Sequence, residues 1–443
     1  MLGRVLCKVR FGWVASHDRL AGDRNTESLG QDNPIAAKGT VRVRVVEVIR
    51  TSEGGGWILP EVKELQKRGH EVITLLPDPE GTLGERLRLN GVPVIASVVD
   101  LASPRKALSP WGLRRLRKQL ADLKPDVVFY QLIQTALAVR LATIRMGVRR
   151  VHQVPGPLYL ESKVVRPFEW LLSGLDDMII CGSEFTRQAY VDLGTSPAKL
   201  VAIPFGVETQ EFIEPPVLAR KTADALGIPD ESFVAVMVAF AYPPKRLAHS
   251  GRGIKGHELM IEAWERFSHR HGDTYAVFVC DGWGQGGEDY RSKLQQESER
   301  TGRPGSVRWI SGQRDSRPYY AIANVSVSPS LSENHGAALE AGAMGVPSIV
   351  SSAGGLPETV DPSCGWVFAT DEAEDLLQQL EAAYSLHRHK ELAGMGRAAR
   401  HRIEQMFDAQ MCAARVADCL EAVAGECGHG GGGDQGAKAH AED

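Results

Sequence analysis

The 443-residue chain lacks any apolar run long enough to cross a bilayer, and no charge of one sign dominates it. Lys and Arg number 51 against 55 Asp and Glu, so the net charge is −4 and exerts no general pull on nucleic acid. An anion therefore has to be held by local donors. Cysteine is sparse and scattered: the seven are Cys7, Cys181, Cys280, Cys364, Cys412, Cys419 and Cys427, with no C-x-x-C pair. That argues against a zinc cluster or a disulfide framework and for a reducing compartment. Cys181 and Cys280, at the ends of apolar strands, read as small core residues. No D-x-D pair occurs, so a carboxylate-held catalytic metal is not expected. The opening MLGRVLCKVRFGWVASHDRL is broken by arginine, lysine and aspartate and does not read as a signal peptide. The expectation is a soluble, cytoplasmic protein.

Apolar residues make up 43% and charged residues 24%, ordinary globular values, and the length points to two or three domains. Residues 1–40 read as a disordered or poorly ordered extension. Then VRVRVVEVIR, TSEGGG, the helical WILPEVKELQKRG and HEVITLL form a strand, glycine turn, helix and strand, the βαβ unit of a parallel sheet. Strand candidates VVFYQ, DMIIC and LVAIPFGV follow. Residues 208–230 loosen into a linker, and alternation restarts with FVAVMVAFA, YAVFVC, VRWIS, NVSVSPS, PSIVS and GWVF. The expected organisation is a first α/β domain over 41–215 and a second over 225–390. Helices at 391–424 pack back across both, and a low-complexity tail covers 425–443. Two doubly wound sheets facing one another leave a cleft at their carboxyl ends, where ligands bind in such folds.

The stretch SENHGAALEAGAMGVPSIVSSAGGLPE places Glu333, Glu340 and Glu358 among small residues. A strand-to-helix turn of this kind offers backbone N–H groups to an anion, and its glycines permit close approach. One helix end contributes only about 0.3–2 kcal/mol, too little for a diphosphate, so cations must converge on it. Lys245, Arg246, Arg252 and Lys255 in KRLAHSGRGIKGHE are placed to do so. The glutamates then suit hydroxyls, since a carboxylate accepts two hydrogen bonds from a vicinal diol. Phosphate donors beside diol acceptors describe a nucleotide-sugar site. Taken singly, each of these residues also has an ordinary reading as a capping carboxylate or a solvated cation.

With VVEVIRTSEGGG, KRGHEV, KLVAIPFGVE, RGIKGHELMIEAW, SVSPSLSENHG, LEAGAMGVPSIVSSAGGLPE and GWVF in this order, the chain resembles the retaining glycosyltransferases of family 4 over roughly residues 41–420. The resemblance implies the GT-B fold, two Rossmann-like domains facing a central cleft. It also implies transfer of a sugar, with retained anomeric configuration, from a nucleotide diphosphate sugar, most often UDP-linked, to a hydroxyl-bearing acceptor. It puts Glu333 on the donor-sugar hydroxyls, Glu340 on the ribose, and His335, Gly336 and Ala337 at the sugar and diphosphate. Lys255, with Arg246 or Arg252, stabilises the leaving diphosphate. Gly55 and Gly56 cap the cleft from the first domain, and Glu358 completes the donor set. His152, Tyr159 and Glu161 are the polar candidates on the acceptor side.

Two departures stand out. Six residues separate Glu333 from Glu340 where the family has seven, so either the turn is compressed or Ser332 takes the place of the glutamate. The family's histidine–glycine pair is replaced by VHQVPGPLYLES. No cofactor or metal is expected beyond the nucleotide-sugar substrate, and no nucleic-acid partner. A non-transferase such as a nucleotide-sugar epimerase, or a binding subunit that has lost catalysis, are the alternatives; no dinucleotide fingerprint supports an NAD enzyme. Residues 111–120, with Trp111, Arg114, Arg115, Arg117 and Lys118, admit either a weak peripheral contact with the inner face of a membrane or an ordinary solvated helix.

Overall fold

In the computed structural model the described residues are 42–213, 216–244, 251–313 and 315–425. The expected N-terminal extension and all but the first residue of the expected tail lie outside them. Seven strands, β1 Arg44–Val48, β2 Glu71–Leu76, β3 Val94–Ala96, β4 Val127–Gln131, β5 Arg149–Val154, β6 Met178–Cys181 and β7 Leu200–Ala202, form one parallel sheet in the order β3-β2-β1-β4-β5-β6-β7. Six more, β8 Phe233–Val238, β9 Thr274–Val279, β10 Val307–Ile310, β11 Val325–Ser328, β12 Ser348–Ser351 and β13 Gly365–Phe368, form a second in the order β10-β9-β8-β11-β12-β13. Both are Rossmann-like, as expected.

Most strands are largely apolar, as buried parallel strands are. Residues of β1 and its approach alternate between two cores: Val43 and Val45 on one side, Val46 and Val48 on the other. Two strands escaped the sequence reading. β3 has only three residues, and β5, RRVHQV, is polar for a buried strand. Its His152 and Gln153 are fully enclosed and hydrogen-bonded, which is how such groups survive burial. The expected linker at 208–230 contains a helix, Pro216–Leu226, which packs on the short helix Arg317–Tyr320 of the second lobe.

The C-terminal helical stretch is three helices, Ala373–Arg388, Leu392–Met406 and Ala409–Gly425. The second packs on the short helix Ala338–Ala343 of the second lobe. The third returns to the first lobe, against the helix Ile58–Lys67, where Cys412, Val416, Ala417, Leu420 and Val423 complete its core. Arg68 anchors it through Asp418 at 2.6 Å and Glu421 at 3.3 Å. Burial of the apolar stripe outweighs these partly solvated ion pairs. Leu420→Ala is therefore expected to cost about 2–5 kcal/mol in denaturant unfolding of the first lobe; an unchanged midpoint would contradict this packing.

Candidate active site

In each sheet the crossovers part between two neighbouring strands, β1 and β4 in the first and β8 and β11 in the second. The loops leaving such strands open a crevice at their carboxyl ends. Lys255 follows β8, Glu333 follows β11, and the two strands are hydrogen-bonded neighbours. Topology thus brings together two residues 78 apart in sequence, and the structure joins them as an ion pair. The Leu331 N–H bonds the Ile254 carbonyl at 2.8 Å, fixing one loop on the other. Gly256 makes this approach feasible: its φ is +72°, and a Cβ there would stand 2.0 Å from the Pro329 carbonyl oxygen.

Both charges are partly buried. Burial pushes the Lys255 ammonium down, but the Glu333 carboxylate outweighs it and holds the pKa above the ordinary lysine range. The six-residue interval still brings Glu333 to the crevice. Gly336 has φ +49°, and a Cβ there would lie 3.3 Å from the Glu333 carboxyl group, while Ser332 is buried. The glutamate, not the serine, faces Lys255.

Lys255 and Ala337 also line an adjoining cavity of about 260 Å³ together with Phe240, Tyr242, Asp281, Gln313 and Glu340. Glu340 accepts a hydrogen bond from the Ser316 hydroxyl at 2.7 Å. Burial raises its pKa, and Ser316 offsets part of that rise. Five expected residues therefore line one pair of adjoining hollows: Lys255, Glu333, Gly336, Ala337 and Glu340. The space fits a sugar or nucleoside, with one cation at the junction of two carboxylates.

Other expected residues go elsewhere. Arg246 lies outside the described residues. Arg252 is turned to Glu262 at 2.9 Å and Asp371 at 3.0 Å and lines neither hollow. Gly55 and Gly56 occupy the turn between β1 and the helix Ile58–Lys67; Gly55 has φ +70°. No contact recorded among the described residues joins that turn to Lys255 or Glu333. His152 is a core histidine. Its Nδ1 accepts from the buried Arg140 at 3.0 Å, it stacks on Tyr130 at 5.3 Å, and burial lowers its pKa to about 3. Tyr159 bonds Tyr190 at 2.9 Å and its ring lies 6.5 Å from that of His152, while Glu161 is exposed. In the helix Pro110–Leu123, Leu116 and Leu120 are buried in the core; Trp111 and the exposed Arg114, Arg115 and Lys118 make no apolar face.

Glu358 lies at the seam between the lobes. Its carboxylate accepts from the backbone N–H of Phe185 at 2.9 Å and of Glu184 at 3.1 Å, at the start of the helix Glu184–Asp192 in the first lobe. Asn334 spans the same seam. Its amide donates to the Pro155 carbonyl at 2.7 Å, and its oxygen accepts from Ser183 at 2.7 Å and Thr186 at 3.0 Å. His335, buried against Phe407, stands 3.5 Å from Glu358. Glu358 is thus a clamp between lobes. The sequence reading missed Phe240, Tyr242, Asp281 and Gln313; the available signal was that each follows the carboxyl end of β8, β9 or β10.

Burial pushes the Glu358 carboxyl up, but His335 and the two backbone donors hold it below the ordinary range. A depressed carboxyl adds stability above its unfolded pKa and loses it as pH falls through the folded value. Glu358→Gln is accordingly expected to lower the thermal midpoint at pH 7, by the equivalent of about 1–2 kcal/mol. The gap to the parent protein should close below about pH 4. A gap independent of pH would contradict the clamp.

Residues 61–211 match Glycosyltransferase Family 4, and residues 244–402 match Glycosyl transferases group 1. A GDP-mannose-dependent alpha-(1-6)-phosphatidylinositol monomannoside mannosyltransferase of Mycolicibacterium smegmatis is 23% identical over 372 residues, covering 80% of this chain and 91% of its own. Among solved structures, a glycosyltransferase of Rickettsia africae superposes with a TM-score of 0.72 at 18% identity, over 86% of this chain and 98% of that one. The Anabaena protein HepE in complex with UDP gives 0.71 at 18%, over 86% and 100%. The paired lobes, the two matched halves and the Lys255–Glu333–Glu340 crevice agree: this chain belongs to glycosyltransferase family 4, has the GT-B fold and uses a nucleotide-sugar donor.

Proposed function

We propose that the protein transfers a hexose from a UDP-linked donor to a hydroxyl of its acceptor with retention of configuration. The observation that carries this reading is the Lys255–Glu333 pair at the mouth of the Glu340-lined cavity. Negative charge grows on the leaving diphosphate as the glycosidic bond breaks. Lys255 stabilises it electrostatically, and Arg246 is the remaining candidate for a second cation. Glu333, freed from Lys255 when the diphosphate arrives, accepts from donor-sugar hydroxyls, and Glu340 accepts from the ribose diol. The carboxylates orient; no covalent role is required of them. Gly336 and Ala337 leave room for the sugar to approach the backbone.

Lys255→Ala is expected to lower kcat/KM about 100- to 1000-fold in an assay of acceptor-dependent nucleotide release. Glu340→Ala should act mainly through a raised KM for the donor. If both variants match the parent, the chain is a binding subunit; if nucleotide is released without acceptor, the non-transferase alternative holds.

A GDP-mannose donor is the second reading, favoured by the GDP-mannose dependence of the mycobacterial relative. A thermal-shift series separates the two, because a ligand of the native state raises the midpoint by mass action. UDP is expected to raise it more than GDP at equal concentration, and the reverse order would assign the guanine nucleotide.

A further inference from the structure

The helix Arg166–Leu172, RPFEWLL, is inside out. Its one buried residue is the acid Glu169, while Phe168 is 53%, Trp170 65% and Leu171 66% exposed. Val164, just before it, is 59% exposed, and Leu158 is also at the surface. Amphipathic helices on a globular body bury the apolar face and expose the charge; here the arrangement is reversed.

The reversal has a physical cause. Glu169 lies against the fully buried Arg140, whose guanidinium reaches it at 2.6 and 2.9 Å and reaches Asp176 at 2.5 Å. The Tyr190 hydroxyl donates to Glu169 at 2.5 Å. Burial pushes the Glu169 carboxyl up, and Arg140 outweighs it, holding the pKa below the usual range. A buried charge with these partners is costly to pull out. The helix is therefore held to the body by an ion pair, leaving its aromatic and aliphatic side chains free to point outward.

We propose that the segment Leu158–Leu171 is a docking surface for a membrane bearing anionic headgroups. Trp and Phe beside Leu and Val suit the boundary between acyl chains and headgroups, and flanking cations suit the headgroups themselves. Lys163 and Arg166 are exposed within the segment, whose one exposed acid is Glu161. On the same side of the sheet, the helix Pro110–Leu123 packs on the helix Ile133–Ala142, which in turn packs on Arg166–Leu172. That neighbour adds the exposed Arg114, Arg115 and Lys118, with Trp111 at 71% exposure. Charge and apolarity thus complement one kind of partner. The segment also begins at the carboxyl end of β5, directly after Pro155, whose carbonyl meets Asn334 beside Glu333. A bilayer held there lies on the side where the crevice opens.

The test is co-sedimentation of the full chain with phosphatidylcholine vesicles, pure or mixed with phosphatidylglycerol. Binding to the mixed vesicles is expected, weakening with added salt. The combined variant Phe168→Ser, Trp170→Ser, Leu171→Ser should bind about tenfold or more weakly. Lys163→Glu with Arg166→Glu should also lose binding while keeping the parent's thermal midpoint. Without any variant, mixed vesicles should shift the parent's tryptophan emission to the blue. A parent that stays in solution with both vesicle types, or a triple variant that binds like the parent, overturns the proposal. So does a parent that ignores vesicles yet dimerises through the patch in sedimentation equilibrium, which assigns the surface to a second copy.

Discussion

The ion pair between Lys255 and Glu333 is the contact on which the crevice depends. Neither charge is fully solvated, so either one alone would sit in the crevice at a cost. Together they fix two loops from neighbouring strands and keep the lysine charged. The pair is also poised to exchange: a diphosphate offers Lys255 a more highly charged partner, and sugar hydroxyls give Glu333 something else to accept.

The same turn serves the second constraint, the contact between lobes. Glu333 faces the crevice, its neighbour Asn334 crosses to Pro155, Ser183 and Thr186, and His335 backs Glu358. Three consecutive residues therefore couple the donor side to the first lobe. Gly336, next in the turn, takes a positive φ of +49°. The C-terminal helices make a second tie, one on each lobe, so the crevice is framed by two independent connections.

Much of this was legible from the chain alone. The apolar strands and the alternation of two α/β halves follow from local pattern, while the singling out of Lys255, Glu333 and Glu340 came from the family resemblance. What was not legible depends on partners distant in sequence. Glu358 reads like another donor carboxylate until the N–H groups of Phe185 and Glu184, more than 170 residues away, claim it. His152 looks functional until Arg140 and Tyr130 enclose it. Arg252 and Lys255 are three residues apart, yet a glycine-rich loop sends one to Asp371 and the other to Glu333. The helix Pro216–Leu226 hid in a stretch rich in proline because its stability comes from packing on the second lobe. Directions of single side chains are tertiary facts, and spacing does not carry them.

The central claim is that Lys255 leaves Glu333 for the donor diphosphate. Calorimetric titration of whichever nucleoside diphosphate binds more tightly, UDP or GDP, tests it directly with the parent, Lys255→Ala and Glu333→Gln. The exchange predicts that loss of the lysine weakens nucleotide binding about tenfold or more. Loss of the glutamate charge should leave binding equal or tighter, because the lysine's competing partner is gone. Equal affinity in the parent and Lys255→Ala, or weaker binding in Glu333→Gln, would contradict the account.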